Sequence, residues 1–186
     1  MDKKSSVTQI PEPSLSKLLF ADTRFAFIWV LVRVYVGWTW LETGIQKVQN
    51  PLWVGPEAGT ALTGFVMRAL EKTGGAHPDV QMWYGNFLEG LVLNNAPFMS
   101  NVIAFGEVLV GLGLILGAFT GIAAFFGAFM NMNFLLAGTV STNPILFVSQ
   151  LFLILAWRVA GWIGFDRVLL PMLGVPWQKG NLFKKS

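Results

Sequence analysis

Four apolar runs constrain this chain more than any other feature. They cover about residues 25–47, 98–117, 121–139 and 145–165. Each has roughly the twenty residues an α-helix needs to cross a hydrocarbon core about 30 Å thick. In lipid, backbone N–H and C=O groups must be satisfied inside the protein, and no run shows the ten-residue alternation of a barrel strand. The pattern predicts an all-α integral membrane protein built as a four-helix bundle. Composition agrees: charged residues make up 12% of the 186-residue chain, where a soluble domain carries about 25%. The competing reading, four buried helices of one large soluble core, fits so low a charge content less well.

The connections are unequal. Only Ala118-Phe119-Thr120 separates the second run from the third, and Val140-Ser141-Thr142-Asn143-Pro144 separates the third from the fourth. Neither can cross a bilayer, so both force antiparallel neighbours. About fifty residues join the first run to the second, and a connection that long is uncommon without a function. Asn50-Pro51, Gly55-Pro56, Gly74-Gly75 and His77-Pro78 punctuate it. Between these breaks, 58–72 and 80–93 read as amphipathic helices, with Leu62, Phe65, Val66, Ala69 and Leu70 on one face. Residues 48–97 are therefore expected to form an extracytoplasmic helical cap within a membrane domain at 25–177. Polar tails at 1–24 and 178–186 flank it, the first with a short interfacial stretch near 15–20. No cleaved signal peptide is expected, because the charged start is long and no small-x-small site follows the first apolar run.

Orientation follows from the basic residues. Lys3, Lys4, Lys17 and Arg24 precede the first run, and Arg167, Lys179, Lys184 and Lys185 follow the fourth. The long connection holds Arg68 and Lys72, with Lys47 at its edge. The positive-inside rule then predicts a multi-pass protein of the cell membrane with both termini cytoplasmic. Trp29, Trp53, Trp162 and Trp177 suit interfacial belts at the helix ends.

Several chemistries are excluded within this chain. It has no cysteine, hence no disulfide, thiolate metal site, covalent haem attachment or iron–sulfur cluster. Its single histidine, His77, excludes a histidine-pair metal site or bis-histidine haem. No metal site is expected. The net charge is only +3, without the basic run that would suggest nucleic acid. There is no P-loop, dinucleotide fingerprint or serine-hydrolase elbow.

The informative residues are the charges inside the apolar runs, since an intramembrane charge marks a site unless it is paired. Arg33, Glu42, Glu107 and Arg158 qualify, with Lys47 and Asp166 nearer the ends. At about 100° per residue, Arg33, Gly37, Trp40, Gly44 and Lys47 share one face of the first helix and Glu42 points roughly opposite. One of Arg33 and Glu42 must therefore face a partner chain or the cap. Three readings stay open for the charges: they pair and hold the bundle together, they line a polar pocket, or their long side chains reach the headgroups. Glu107 is expected to share a cluster with Arg33 or Arg158. A ligand pocket is expected between the first, second and fourth helices, with Trp40 or one of Asn131 and Asn133 beside it. Those asparagines lie about 200° apart on the third helix, so at least one faces the interior, as interhelical glue or as a ligand contact. Gly106, Gly113 and Gly117 line one face of the second helix as a close-packing device.

Several segments together resemble the DoxX family, and within it the DoxD-type small subunit of thiosulfate:quinone oxidoreductase. They are Arg33-x-x-x-Gly37 leading to Trp40-Leu-Glu-Thr-Gly-Ile-Gln-Lys47, Asn50-Pro-Leu-Trp-Val-Gly55, and Gly106-Glu-Val-Leu-Val-Gly-Leu-Gly-Leu-Ile-Leu-Gly117. Further along come Met130-Asn-Met-Asn-Phe134, Ser141-Thr-Asn-Pro144, and Ala156-Trp-Arg-Val-Ala-Gly161 leading to Gly164-Phe-Asp-Arg167. The resemblance implies a four-helix membrane subunit that sits with a second subunit and passes electrons from thiosulfate to a membrane quinone, giving tetrathionate. On that reading a quinone is held noncovalently in the bundle and the cap admits a small anion or a partner. Arg33 and Arg158 bind anionic or carbonyl oxygens, while Glu42 or Glu107 handles protons as the catalytic carboxylate. The alternative is a noncatalytic accessory or assembly subunit of a larger membrane complex. A solute or lipid carrier is a third reading, but the only internal echo is Gly-Ala-Phe at 117–119 and 127–129.

The cysteine-free chain makes the topology directly testable. A Gly74→Cys variant should react with a membrane-impermeant thiol reagent applied from outside intact cells. Labelling only after permeabilisation would reverse the orientation.

Overall fold

The structure, a computed structural model, describes residues 12–174. Lys3, Lys4, Trp177, Lys179, Lys184 and Lys185, on which the orientation and belt readings draw, lie outside the described residues. Among the described residues every regular element is helical.

Helix α1 (Ser14–Phe20) is short and folds back on the start of the first apolar run. Trp29 Nε1 donates to the Leu19 carbonyl at 2.7 Å, and the Phe20 and Trp29 rings stack at 5.7 Å. Asp22 accepts from the Arg24 amide at 2.9 Å and starts a 3₁₀ turn leading into α2 (Ala26–Val48). Two helical stretches, Thr23–Val48 and Met82–Leu116, are long and apolar enough to cross a membrane. The second comprises α4 (Met82–Phe87), a π-helical turn (Leu88–Val92), a 3₁₀ turn (Leu93–Asn95) and α5 (Ala96–Leu116). Helices α6 (Thr120–Leu136) and α7 (Asn143–Leu155) are apolar but shorter.

The fourth run, expected as one helix over 145–165, is divided. It breaks at Ala156 into α7 and α8 (Trp157–Ala160), bends through 161–165 and resumes as α9 (Asp166–Met172). The bend has a packing cause. A Cβ on Gly161 would lie 2.5 Å from the Asp166 Cβ, and one on Gly164 would lie 2.9 Å from the Gly117 Cα. Glycine at both positions lets the chain turn back against the α5–α6 corner.

The close pairs are α2 with α5 and α6 with α7, while α5 meets α6 more sparingly. Glycine sets the first contact. A Cβ on Gly37 would lie 2.9 Å from the Leu114 Cβ, one on Gly44 2.7 Å from the Val108 nitrogen, and one on Gly111 2.6 Å from the Leu41 nitrogen. The partners descend along α5 as positions rise along α2, so the two helices are antiparallel. Val36, Trp40, Val110, Leu114 and Leu153 form the core of this end. A second core, built from α3 (Thr60–Leu70), α4 and the π-helical turn, buries Leu62, Val66, Ala69, Tyr84 and Leu88. Lys72 Nζ ties that layer to the α6–α7 turn through the Gly138 carbonyl at 2.8 Å.

Backbone-to-backbone contact leaves no room at Gly111. Gly111→Ala should lower stability by about 1–3 kcal/mol, as overpacking does. Gly90→Ala, at a position with nothing within 4 Å of the added carbon, should change it by less than about 0.5 kcal/mol. Thermal melts in detergent compare the two directly.

Candidate functional site

An apolar groove of about 950 Å³ runs between α5 and α6 and is closed at one end by α3, α4 and the π-helical turn. Its wall follows α5 from Met99 to Leu116, a length of about 26 Å at 1.5 Å per residue. Two features open it. Gly106 presents no side chain toward α6, where Met130 stands opposite, whereas Gly113 is a point of close contact, 3.0 Å from the Ala123 Cβ for an added carbon. The π-helical turn contributes Leu88, Leu91 and Val92 to the rim, and such turns inside α-helices are frequent at functional sites.

Tyr84 and Asn133 alone among the lining residues carry hydrogen-bonding side chains. They meet at the closed end: the Tyr84 hydroxyl donates to Asn133 Oδ1 and to its carbonyl, both at 3.0 Å. Asn133 Nδ2 donates to the Phe129 carbonyl at 2.8 Å. The Tyr84 ring is fixed between Trp83 and Phe87, at 5.5 and 5.6 Å. The groove is thus a long hydrocarbon slot with one polar station, a form that suits an amphipathic molecule with a compact head and an apolar tail.

The membrane-depth charges lie elsewhere. Glu107 is buried, 1% exposed at its side chain, and receives Lys47 Nζ at 2.6 and 2.8 Å. Lys47 also sits 5.1 Å from the Trp53 ring centre, and Ser100 Oγ holds the Trp53 backbone by donating to its carbonyl at 2.6 Å. The expected partnership of Glu107 with Arg33 or Arg158 is therefore corrected. The cause is register: Glu107 packs level with Gly44, whereas Arg33 packs level with Gly117. Arg33 and Glu107 are kept apart by several helical turns.

Arg33 belongs to a second cluster at the α5–α6 corner. Its Nη2 donates to the Ile163 carbonyl at 2.8 Å, and its guanidinium fills the space that side chains on Gly117 and Gly164 would need. Asp166 completes the corner. Its carboxylate accepts from the Phe119 amide at 2.6 Å and the Thr120 amide at 2.9 Å, capping the start of α6. Its own amide donates to the Gly117 carbonyl at 2.7 Å. Asp166 was legible only as a charge near a helix end; no local pattern marks a cap supplied from 46 residues away.

Asn131 is fully buried and donates through Nδ2 to Gln150 Oε1 at 2.7 Å, joining α6 to α7. Gly127 leaves the space that Gln150 occupies. Gln150 is not singled out by the sequence, where its signal is a polar side chain within the fourth apolar run. Trp40 is buried and stacks on Phe134 at 6.4 Å. Glu42 is exposed on the opposite side of α2, and Arg158 is half-buried in α8. Of the residues expected to line a pocket between the first, second and fourth helices, only Asn133 lines the groove, which lies instead between the second and third.

A family model described as "TQO small subunit DoxD" matches residues 27–180. The chain belongs to the DoxD family. No curated protein and no solved structure matches it. The DoxD match takes in the groove, both charge clusters and the Asn131–Gln150 pair, so all of these lie in the family's own region. With two membrane-length helices, this DoxD chain is a membrane protein.

The Lys47–Glu107 pair gives a sharp stability test. Lys47→Met strands a buried carboxylate and should lower stability by about 3 kcal/mol, the low end for such a loss because Lys47 keeps partial solvent contact. The double variant Lys47→Met with Glu107→Leu should lose less than either single change. Additive losses in a double-mutant cycle would show the pair to be uncoupled.

Proposed function

We propose that this chain is the quinone-binding membrane subunit of a complex that passes electrons from thiosulfate to a membrane quinone. The observation that carries the reading is the α5–α6 groove with its single polar station at Tyr84 and Asn133. An isoprenoid tail would lie along the apolar wall. A quinone carbonyl would accept hydrogen bonds from the Tyr84 hydroxyl and Asn133 Nδ2 in place of the bonds those groups make to the protein. Family membership supports the donor and acceptor. The balance is two thiosulfates oxidised to one tetrathionate, with two electrons and two protons taken up by the quinone. The partner subunit is the proposed site of thiosulfate oxidation.

In this reading α2, α5, α6 and the α7–α8 pair cross the cell membrane, with both termini cytoplasmic. Lys17, Arg24 and Arg167 then flank the cytoplasmic ends, and the 48–97 segment caps the outer face. Glu107 acts as a tie between helices rather than as a quinone ligand, because its partner is Lys47 of the bundle itself, and Arg33 lies level with Gly117, away from the polar station. The same observation favours a second reading, a noncatalytic assembly subunit whose charges serve only packing.

Thiosulfate-dependent quinone reduction by the purified complex separates the two. Gly106→Leu projects a side chain into the groove, and Tyr84→Phe removes the head-group donor. Both should raise the KM for quinone at least severalfold while the complex stays assembled. Unchanged turnover and unchanged KM in both variants would leave the assembly role standing.

A further inference from the structure

The exposed faces of the four apolar helices are not alike. On α5 the exposed residues are Pro97, Phe98, Val102, Phe105, Leu109, Leu112 and Leu116, all apolar. On α6 they are Ile122, Phe125, Phe126, Phe129 and Met132, and on α7 Ile145, Val148, Leu151, Phe152 and Leu155. These are surfaces that lipid tails can cover. The exposed face of α2 differs. Beside the apolar Phe27, Leu31, Val34 and Ile45 it presents Tyr35, Trp38, Glu42 and Gln46, which fall at helical spacing on one stripe. Tyr35 is 54% and Trp38 62% exposed. Glu42 makes no ion pair among the described residues, and neither Gln46 nor the Tyr35 hydroxyl has a hydrogen-bond partner there.

We propose that this stripe of α2 is an intramembrane docking surface for a membrane-spanning helix of another protein, one that presents a lysine or arginine at the depth of Glu42. Glu42 lies six residues inside the end of α2, about 9 Å along the axis. Lysine and arginine reach the headgroup layer from such positions through long apolar stems, and glutamate has no such stem. A carboxylate facing hydrocarbon at that depth calls for a cation or a hydrogen-bond donor. Trp38 and Tyr35 add a rigid aromatic platform, the side chains that most often anchor interfaces. A second copy of this chain is the poorer occupant. A two-fold axis along the membrane normal would bring the two Glu42 carboxylates to the same depth, like charge against like. The surface lies on α2, whereas the groove lies between α5 and α6, so this inference does not rest on the quinone reading.

The test uses the full chain in its native membrane, with the photoreactive amino acid benzoylphenylalanine in place of Trp38, and in place of Val148 on α7 as a control. The Trp38 probe should crosslink to a peptide from a membrane-spanning segment that carries a lysine or arginine within one helical turn of the crosslink. The Val148 probe should give lipid adducts. Glu42→Lys should cut the crosslink yield at least tenfold, and an acidic substitution of the partner's basic residue should restore it. Because Glu42 is exposed, Glu42→Gln should leave the melting temperature unchanged while weakening the crosslink. Lipid adducts alone from the Trp38 probe, crosslinks to a second copy of this chain, or a partner segment lacking a basic residue would each overturn the proposal. Loss of turnover with the crosslink intact would bear on the groove and not on this surface.

Discussion

The contact between α2 and α5 sets the terms for the rest of the molecule. Gly37, Gly44 and Gly111 bring the two backbones to a separation that no added carbon could share without displacement. In lipid, where burial between helices supplies little hydrophobic driving force, such close approach is a main source of association. It also fixes an antiparallel register. Lys47 is then within reach of Glu107, and Arg33 is level with Gly117. Slide one helix by a single turn and both arrangements are displaced together.

Two ties thus stand at opposite ends of one interface, and each recruits a segment distant in sequence. At the loop end, Trp53 rests beside Lys47 and is held through Ser100. At the other end, the bend after α8 delivers Ile163 to Arg33 and Asp166 to the first amides of α6. The carboxylate serves backbone donors that helix geometry leaves without partners, and its negative charge lies at the positive end of the α6 dipole. These charges hold elements together, which leaves the other side of α5 free for a different task.

That other side is the groove. Glu107 and Gly111 point to α2, whereas Gly106, Leu109 and Gly113 point to α6 across a sparser contact. One helix therefore carries a tight polar seam on one face and an open apolar slot on the other. The separation has a chemical consequence: a tail in the slot meets no buried charge along its length, and polar groups appear only where Tyr84 and Asn133 converge. The outer faces divide in the same spirit, with lipid-compatible surfaces on α5, α6 and α7 and a polar aromatic stripe on α2.

Much of this was legible from residue order. Apolar runs of bilayer length announce membrane helices because backbone polarity cannot be hidden in lipid any other way. Helical periodicity placed Arg33, Gly37, Trp40 and Gly44 on one face of α2 and Glu42 on the other, as the burial of the first four and the exposure of Glu42 show. The motif order pointed to the DoxD family, which the match over residues 27–180 bears out. What the order of residues could not decide was which charges meet, since pairing depends on the relative height of two helices, and that height is set by glycine contacts between segments some seventy residues apart. The same limit hid the break at Ala156, the role of Asp166, the uncharged partner Gln150 and the groove itself. A groove is space left where α5 and α6 fail to close, and only the packed structure decides where side chains leave room.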